Sequence, residues 1–187
     1  MTAKVDIHDE DSLASFTPLS LMNADHTGHG EEQVLGSPKQ VETAVEQLCR
    51  ETAHRLIVRA PRLDFSFFRT TELLPAVTPL ITGDLRNHFH ILIDDKRHFL
   101  DSCGRVIHLA RKFSSYVKVQ ALPPEYSDSG EIFIVSDSDS YLYVRSADLY
   151  PARFAVHSPG RARQLDHQFR QLWDKSIPIA GLHPLGL

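Results

Sequence analysis

His88-Phe89-His90-Ile91-Leu92-Ile93, closed by Asp94-Asp95, is the stretch that decides how this chain is read. A short, largely apolar run ending at two acids has the length and composition of a strand. Downstream, Phe99, Cys103, Val106, Ile107 and Ala110 recur at the spacing of an amphipathic helix running to Phe113. Gly104 sits inside that helix at a cost of about 1 kcal/mol. Tyr116-Val117-Lys118-Val119 follows as the next strand. Strand, helix and strand in that order predict parallel neighbours joined by a crossover.

Upstream, the continuous apolar run Leu56-Ile57-Val58 ends before Pro61 and suits a strand buried on both faces. It is preceded by a helix with a clear start. Ser37 is an N-cap, Pro38 suits the first helical position and Gln40 completes a capping box. Val41, Ala44, Val45 and Leu48 form its apolar stripe, and the helix should end near His54. Residues 64–82 are helical but interrupted by Pro75 and Pro79.

After Pro123-Pro124 the pattern changes to short strands, Ile132 to Val135, Tyr141 to Val144 and Arg153 to Val156. Ser136-Asp137-Ser138-Asp139-Ser140 is the turn of a hairpin. Ser158-Pro159 opens a last helix whose inner face is Ala162, Leu165, Phe169, Leu172 and Trp173. The expected fold is therefore α/β: a mixed, largely parallel sheet with helices on both faces.

Two regions flank that body. Residues 1–38 carry one lysine against seven acids and no sustained period, which predicts a flexible acidic arm. Within it, Leu13 to Met22 is apolar enough to dock on the body or on a partner. Residues 39–187 form a single domain that ends in an apolar tail from Ile177. The 187 residues suit one such domain, and 42% hydrophobic with 24% charged residues excludes wholesale disorder. No run reaches the roughly 18 apolar residues of a membrane span, and no signal-peptide core opens the chain, so a cytoplasmic protein is expected. The net charge of −4 describes no polycation, and nucleic acid is not expected as a partner. Cys49 and Cys103 have no zinc-site spacing and read as two buried thiols.

Several residues carry candidate chemistry. His88 and His90 share one face of their strand and form a candidate metal pair with Asp94 or His98. Asp94 and Asp95 end a parallel strand at its carboxyl edge, where open α/β sheets place ligands; their plainer role is to cap the next helix. Arg105, Arg161, Arg163 and Arg170 are candidate phosphate-binding groups on helix faces. No phosphate loop, nucleophile elbow or His-Glu-x-x-His motif occurs, and no cofactor is implied.

Further cues are the helix running into Ser114-Ser115-Tyr116-Val117-Lys118-Val119, the strand pair, and Phe169-Arg170-Gln171-Leu172-Trp173 before a short apolar tail. With the order of elements from residue 55 onward, they make the chain resemble one half of a phospholipase D-like fold. More closely, it resembles an uncharacterised bacterial domain family with that fold, sometimes fused to acetyltransferases of the GNAT type. Phospholipase D enzymes carry His-x-Lys-x4-Asp followed by Gly-Ser-x-Asn, the His as nucleophile and the Lys as phosphate clamp. In that register Gly130 stands at the His position and Ile132 at the Lys position, and only Asp137 matches. Arg145-Ser146-Ala147-Asp148 keeps only Ser146 of the second element. The resemblance thus implies a non-catalytic binding or assembly module of unknown ligand, in which a lone half pairs as a homodimer or holds a protein partner. The alternatives are an enzyme with a non-standard phosphoryl or acyl-transfer site, drawn from Asp94, Asp95, Asp137 and Ser146 with His88 and His90, or an accessory subunit of an acetyltransferase.

Overall fold

The computed structural model describes residues 30–127, 130–145 and 151–182. The Leu13 to Met22 segment, Ser146 and the last five residues of the tail lie outside the described residues. Among the described residues eight strands form one sheet. They are β1 (Gln33–Leu35), β2 (Arg55–Arg59), β3 (His88–Ile93), β4 (Val117–Ala121), β5 (Ile132–Ser136), β6 (Ser140–Val144), β7 (Ala152–Ala155) and β8 (Ile177–Pro178). The helices are α1 (Pro38–Glu51), α2 (Leu73–Gly83), α3 (Lys96–Ser102), α4 (Gly104–Lys112) and α5 (Pro159–Trp173).

The strand order is β1-β7-β6-β5-β2-β3-β4-β8. Only β2 with β3 and β3 with β4 pair in parallel. The other five pairings are antiparallel, so the expectation of a largely parallel sheet is corrected. The crossover helices impose parallel pairing only between residues 55 and 121. Beyond Pro123 tight turns reverse each strand on the last.

Alternation along the central strands separates two cores. Leu56, Val58, Phe89, Ile91, Val117 and Val119 face α1, α2 and α4. Ile57, Leu92, Phe133 and Val135 face α5, which contributes Ala162, Leu165 and Phe169. Ser37 caps α1 as its sequence implies, accepting from the Gln40 N–H, while the Gln40 amide oxygen accepts from the Gly36 N–H at 3.0 Å.

Three elements differ from expectation. The single helix through Phe113 is two helices, broken at Cys103, whose N–H still reaches the Phe99 carbonyl at 2.9 Å. The buried Cys103 thiol points toward the Leu63 carbonyl at 3.7 Å, so the break seats it in the core. Gln33–Leu35, inside the expected arm, adds to β7 as an edge strand. Glu32 holds it there, accepting from the Tyr141 hydroxyl and the Arg153 guanidinium. Finally, Ile177–Pro178 pairs with β4 instead of only lying along the body.

Candidate functional site

The carboxyl ends of β2 and β3 meet the start of β5 because β5 runs antiparallel to β2. A cavity of about 480 Å³ opens there, lined by Pro61, Arg62, Asp64, Asp94, Asp95, Ser127, Gly130 and Ile132. The Asp94 and Asp95 amides both donate to the Pro61 carbonyl, at 3.1 and 3.0 Å, which fixes the turn leaving β3.

Asp94 and Asp95 then part in role. Asp95 caps α3, its Oδ1 accepting from the His98 N–H at 2.8 Å. That backbone bond, aided by Arg62 at 3.2 Å, holds its carboxyl below the usual range. Asp94 turns to Arg59 and accepts from its Nη2 at 2.9 Å. Arg59 is 1% exposed, and among the described residues its Nε and Nη1 have no hydrogen-bond partner. A buried guanidinium with open donors is costly to a fold and marks a place built for more than packing. Glu131 shares this end of the sheet, accepting from the Tyr143 hydroxyl at 2.7 Å and from Gln168 at 2.8 Å.

Asp64, on the cavity wall, accepts from Arg69 at 2.7 Å and meets His98 Nε2 at 2.8 Å. Sequence reasoning had no motif for this His–Asp pair, whose members lie far apart in the chain. It also passed over Arg59, although a charged residue between Val58 and Ala60 in a run buried on both faces was the available signal.

Asp137 is fully used in another way. Its carboxylate accepts from three consecutive backbone amides, those of Ala53 at 2.8 Å, His54 at 2.9 Å and Arg55 at 2.7 Å. It therefore fastens the hairpin turn to the entry of β2. It is absent from the cavity lining, whereas Gly130 and Ile132 are present in it.

His88 and His90 do share a face, with ring centroids 4.5 Å apart. They begin β3, however, while Asp94 follows its end. At about 3.3 Å per residue, His90 and Asp94 stand about 13 Å apart along the strand. One ion cannot bridge them, so the candidate metal pair with Asp94 is corrected, and the joint site of His88, His90, Asp94 and Asp137 dissolves. Among the described residues no group of three or more His, Cys, Asp or Glu side chains is placed to hold a metal.

The candidate arginines are divided between the two faces. Arg105, on α4, lines a separate hollow with Arg69, Ser102 and His108. On α5, Arg161 lies over the Tyr143 ring at 5.1 Å, Arg163 is exposed, and Arg170 pairs with Asp166 at 2.8 Å.

Solved structures share this architecture. Nuc of Salmonella typhimurium, a phospholipase D family member, is 14% identical with a TM-score of 0.51 over 80% of this chain and 99% of its own. NucT of Helicobacter pylori is 8% identical with a TM-score of 0.55, again over 80% of this chain and 99% of its own. TrmBL2, an archaeal chromatin protein whose structure shows a novel mode of DNA binding, is 11% identical with a TM-score of 0.58 over 87% of this chain; the match spans 58% of TrmBL2. No curated protein matches the chain. Identities this low speak for the fold alone, and that fold is an α/β domain of phospholipase D-like architecture. Within it, the chain belongs to the family described as domain of unknown function (DUF7931), whose model matches residues 37–185.

Proposed function

We propose that this chain is a non-catalytic phospholipase D-like module that binds a ligand or partner through the cavity at the carboxyl edge of its parallel strands. One observation carries this. The cavity lies where the resemblance places the nucleophile and phosphate clamp, and its wall there is Gly130 and Ile132, which supply neither. The role of Asp137 supports the same conclusion, because its acceptor oxygens are taken by backbone amides. The separation of Arg105 from Arg161, Arg163 and Arg170 by the sheet offers no continuous track for a nucleic-acid backbone.

The test is a turnover assay on phosphodiester and acyl esters, bis(4-nitrophenyl) phosphate and 4-nitrophenyl acetate among them, alongside native mass measurement. The expected result is no turnover, with the chain running as a homodimer or with a stoichiometric protein companion. Turnover that follows the protein through gel filtration and disappears in Ser127→Trp, which fills the cavity, overturns the proposal. A second reading, a non-standard hydrolytic site, draws on the Asp64–His98 pair beside the same cavity. It predicts turnover that falls with His98→Gln.

A further inference from the structure

A second hollow lies at the opposite, amino-terminal edge of the parallel strands. Register brings its floor together. Arg55 opens β2 directly beside His88, which opens β3, and His90 lies one pleat further, beside Lys118 of β4. These side chains project toward α5, on the face where Ile57 and Leu92 are apolar. Helix α5 answers with Asp166, Phe169, Arg170 and Trp173, at the spacing of one helical face. The hollow encloses about 300 Å³ between Arg55, His88, His90, Phe169, Arg170 and Trp173.

The rings form a continuous stack. His88 lies against His90 at 4.5 Å, His90 is parallel to Trp173 at 4.5 Å, and Trp173 lies on Phe169 at 5.4 Å. Asp166 holds Arg55 at 2.6 Å and Arg170 at 2.8 Å. One carboxylate thus serves two guanidiniums, and Lys118 adds a third positive charge nearby. Among the described residues the buried Arg55 Nε has no partner, while the Arg170 side chain stays 63% exposed and meets Asp166 through Nη2. His88 Nδ1 lies 3.2 Å from the Arg86 carbonyl, so the neutral ring carries its proton there and Nε2 has only a lone pair. Burial, together with the neighbouring positive charges, holds both imidazoles below their ordinary range. Such a surplus of cationic donors around a small hollow suits a compact anion.

We infer that this hollow is an oxyanion site that takes a phosphate group, with Arg170 as the contacting donor and Arg55 as the charge behind it. It is independent of the cavity at the carboxyl edge. The shared chemistry is the phosphate group itself, whether free or borne by a small ester. Trp173 is the only tryptophan in the chain and lies in the wall, so its fluorescence reports on occupancy.

The experiment titrates the full chain with inorganic phosphate and with phenyl phosphate against chloride at matched ionic strength. It reads Trp173 emission and heat, and far-UV circular dichroism confirms that each variant is folded. We expect saturable binding that weakens about tenfold or more in Arg170→Gln, which removes a charge-assisted hydrogen bond. Arg97→Gln, exposed on α3, leaves it unchanged. Saturation by both probes assigns the bare phosphate group, and saturation by phenyl phosphate alone assigns an ester. A non-saturating response overturns the inference, as does saturable binding that Arg170→Gln leaves intact. Binding lost in Ser127→Trp but kept in Arg170→Gln places the anion at the other edge, which refutes the oxyanion site while leaving the proposed module standing.

Discussion

The two ends of the parallel strands both carry an arginine–aspartate pair, and they use it differently. At the carboxyl edge Arg59 and Asp94 are 1% and 13% exposed, with Asp94 in the lining of the cavity. At the amino edge Arg55 and Asp166 are 17% and 7% exposed, and a third member, Arg170, reaches into solvent. The first pair therefore has little water to fall back on when a partner is lost. The second can relax outward and exchange partners with a solute. Similar residues on one face of one sheet thus yield a rigid internal tie at one end and an adaptable charged rim at the other.

Removing the acid at each edge tests that contrast most severely. Asp94→Ala removes the carboxylate bonded to buried Arg59, leaving Glu131 as its nearby counter-charge, and should lower stability by about 4 kcal/mol, read from urea unfolding. Asp166→Ala should cost less, about 3 kcal/mol, because Arg170 swings free and Arg55 retains some access to water. If the two losses come out in the reverse order, the distinction between tie and rim fails.

A smaller effect separates the edges by pH. Burial, with the charges of His88, Lys118 and Arg55, holds His90 down to about 3. In the unfolded chain the same imidazole takes its proton near 6.5. Protonation therefore favours the unfolded state. This contribution is complete above about pH 6.5 and is lost as the pH falls toward 3. His90→Phe keeps a ring against Trp173 and removes the proton. Between pH 7 and 5 the wild type should lose about 2 kcal/mol more than this variant, seen as a widening gap in thermal midpoints. Equal pH profiles would show that His90 is freely hydrated.

The mildest test lies at the rim. Arg170→Gln removes the exposed member of an i,i+4 pair while Asp166 keeps Arg55, and should shift stability by only about 0.5 kcal/mol. A much larger loss in chemical denaturation would make Arg170 part of the tie.

Periodicity made the centre of the fold readable. Apolar runs of strand length and helical stripes marked β2, β3, β4, α1 and α5 within a residue or a few. The first strand escaped because Gln33-Val34-Leu35 is too short to show a period and belongs to the sheet only through β7 and Glu32. The split between α3 and α4 escaped because the apolar stripe continues through Cys103 even though the backbone breaks there. The site was less legible than the fold. Gly130, Ile132 and Asp94 were placed at the cavity by register, but Arg59 and Asp64 join it only through packing. Arg55 and Trp173 likewise looked like a strand entry and a core aromatic until α5 was laid across β3. Spacing along the chain reports on one element at a time, whereas both edges are assembled from several.

The strand Ile177–Pro178 has a consequence beyond the monomer. It is two residues long, its proline offers no N–H, and the adjoining stretch of β4 carries Lys118. These features blunt that margin of the sheet as a template for another chain. Among the described residues β1 ends the sheet at the opposite margin, with Val34 exposed. A sheet with one receptive margin can join a second copy head to head, and the union then has no margin left from which to grow. In the proposed homodimer, strand addition at β1 would close the assembly at two copies and leave no margin for a filament.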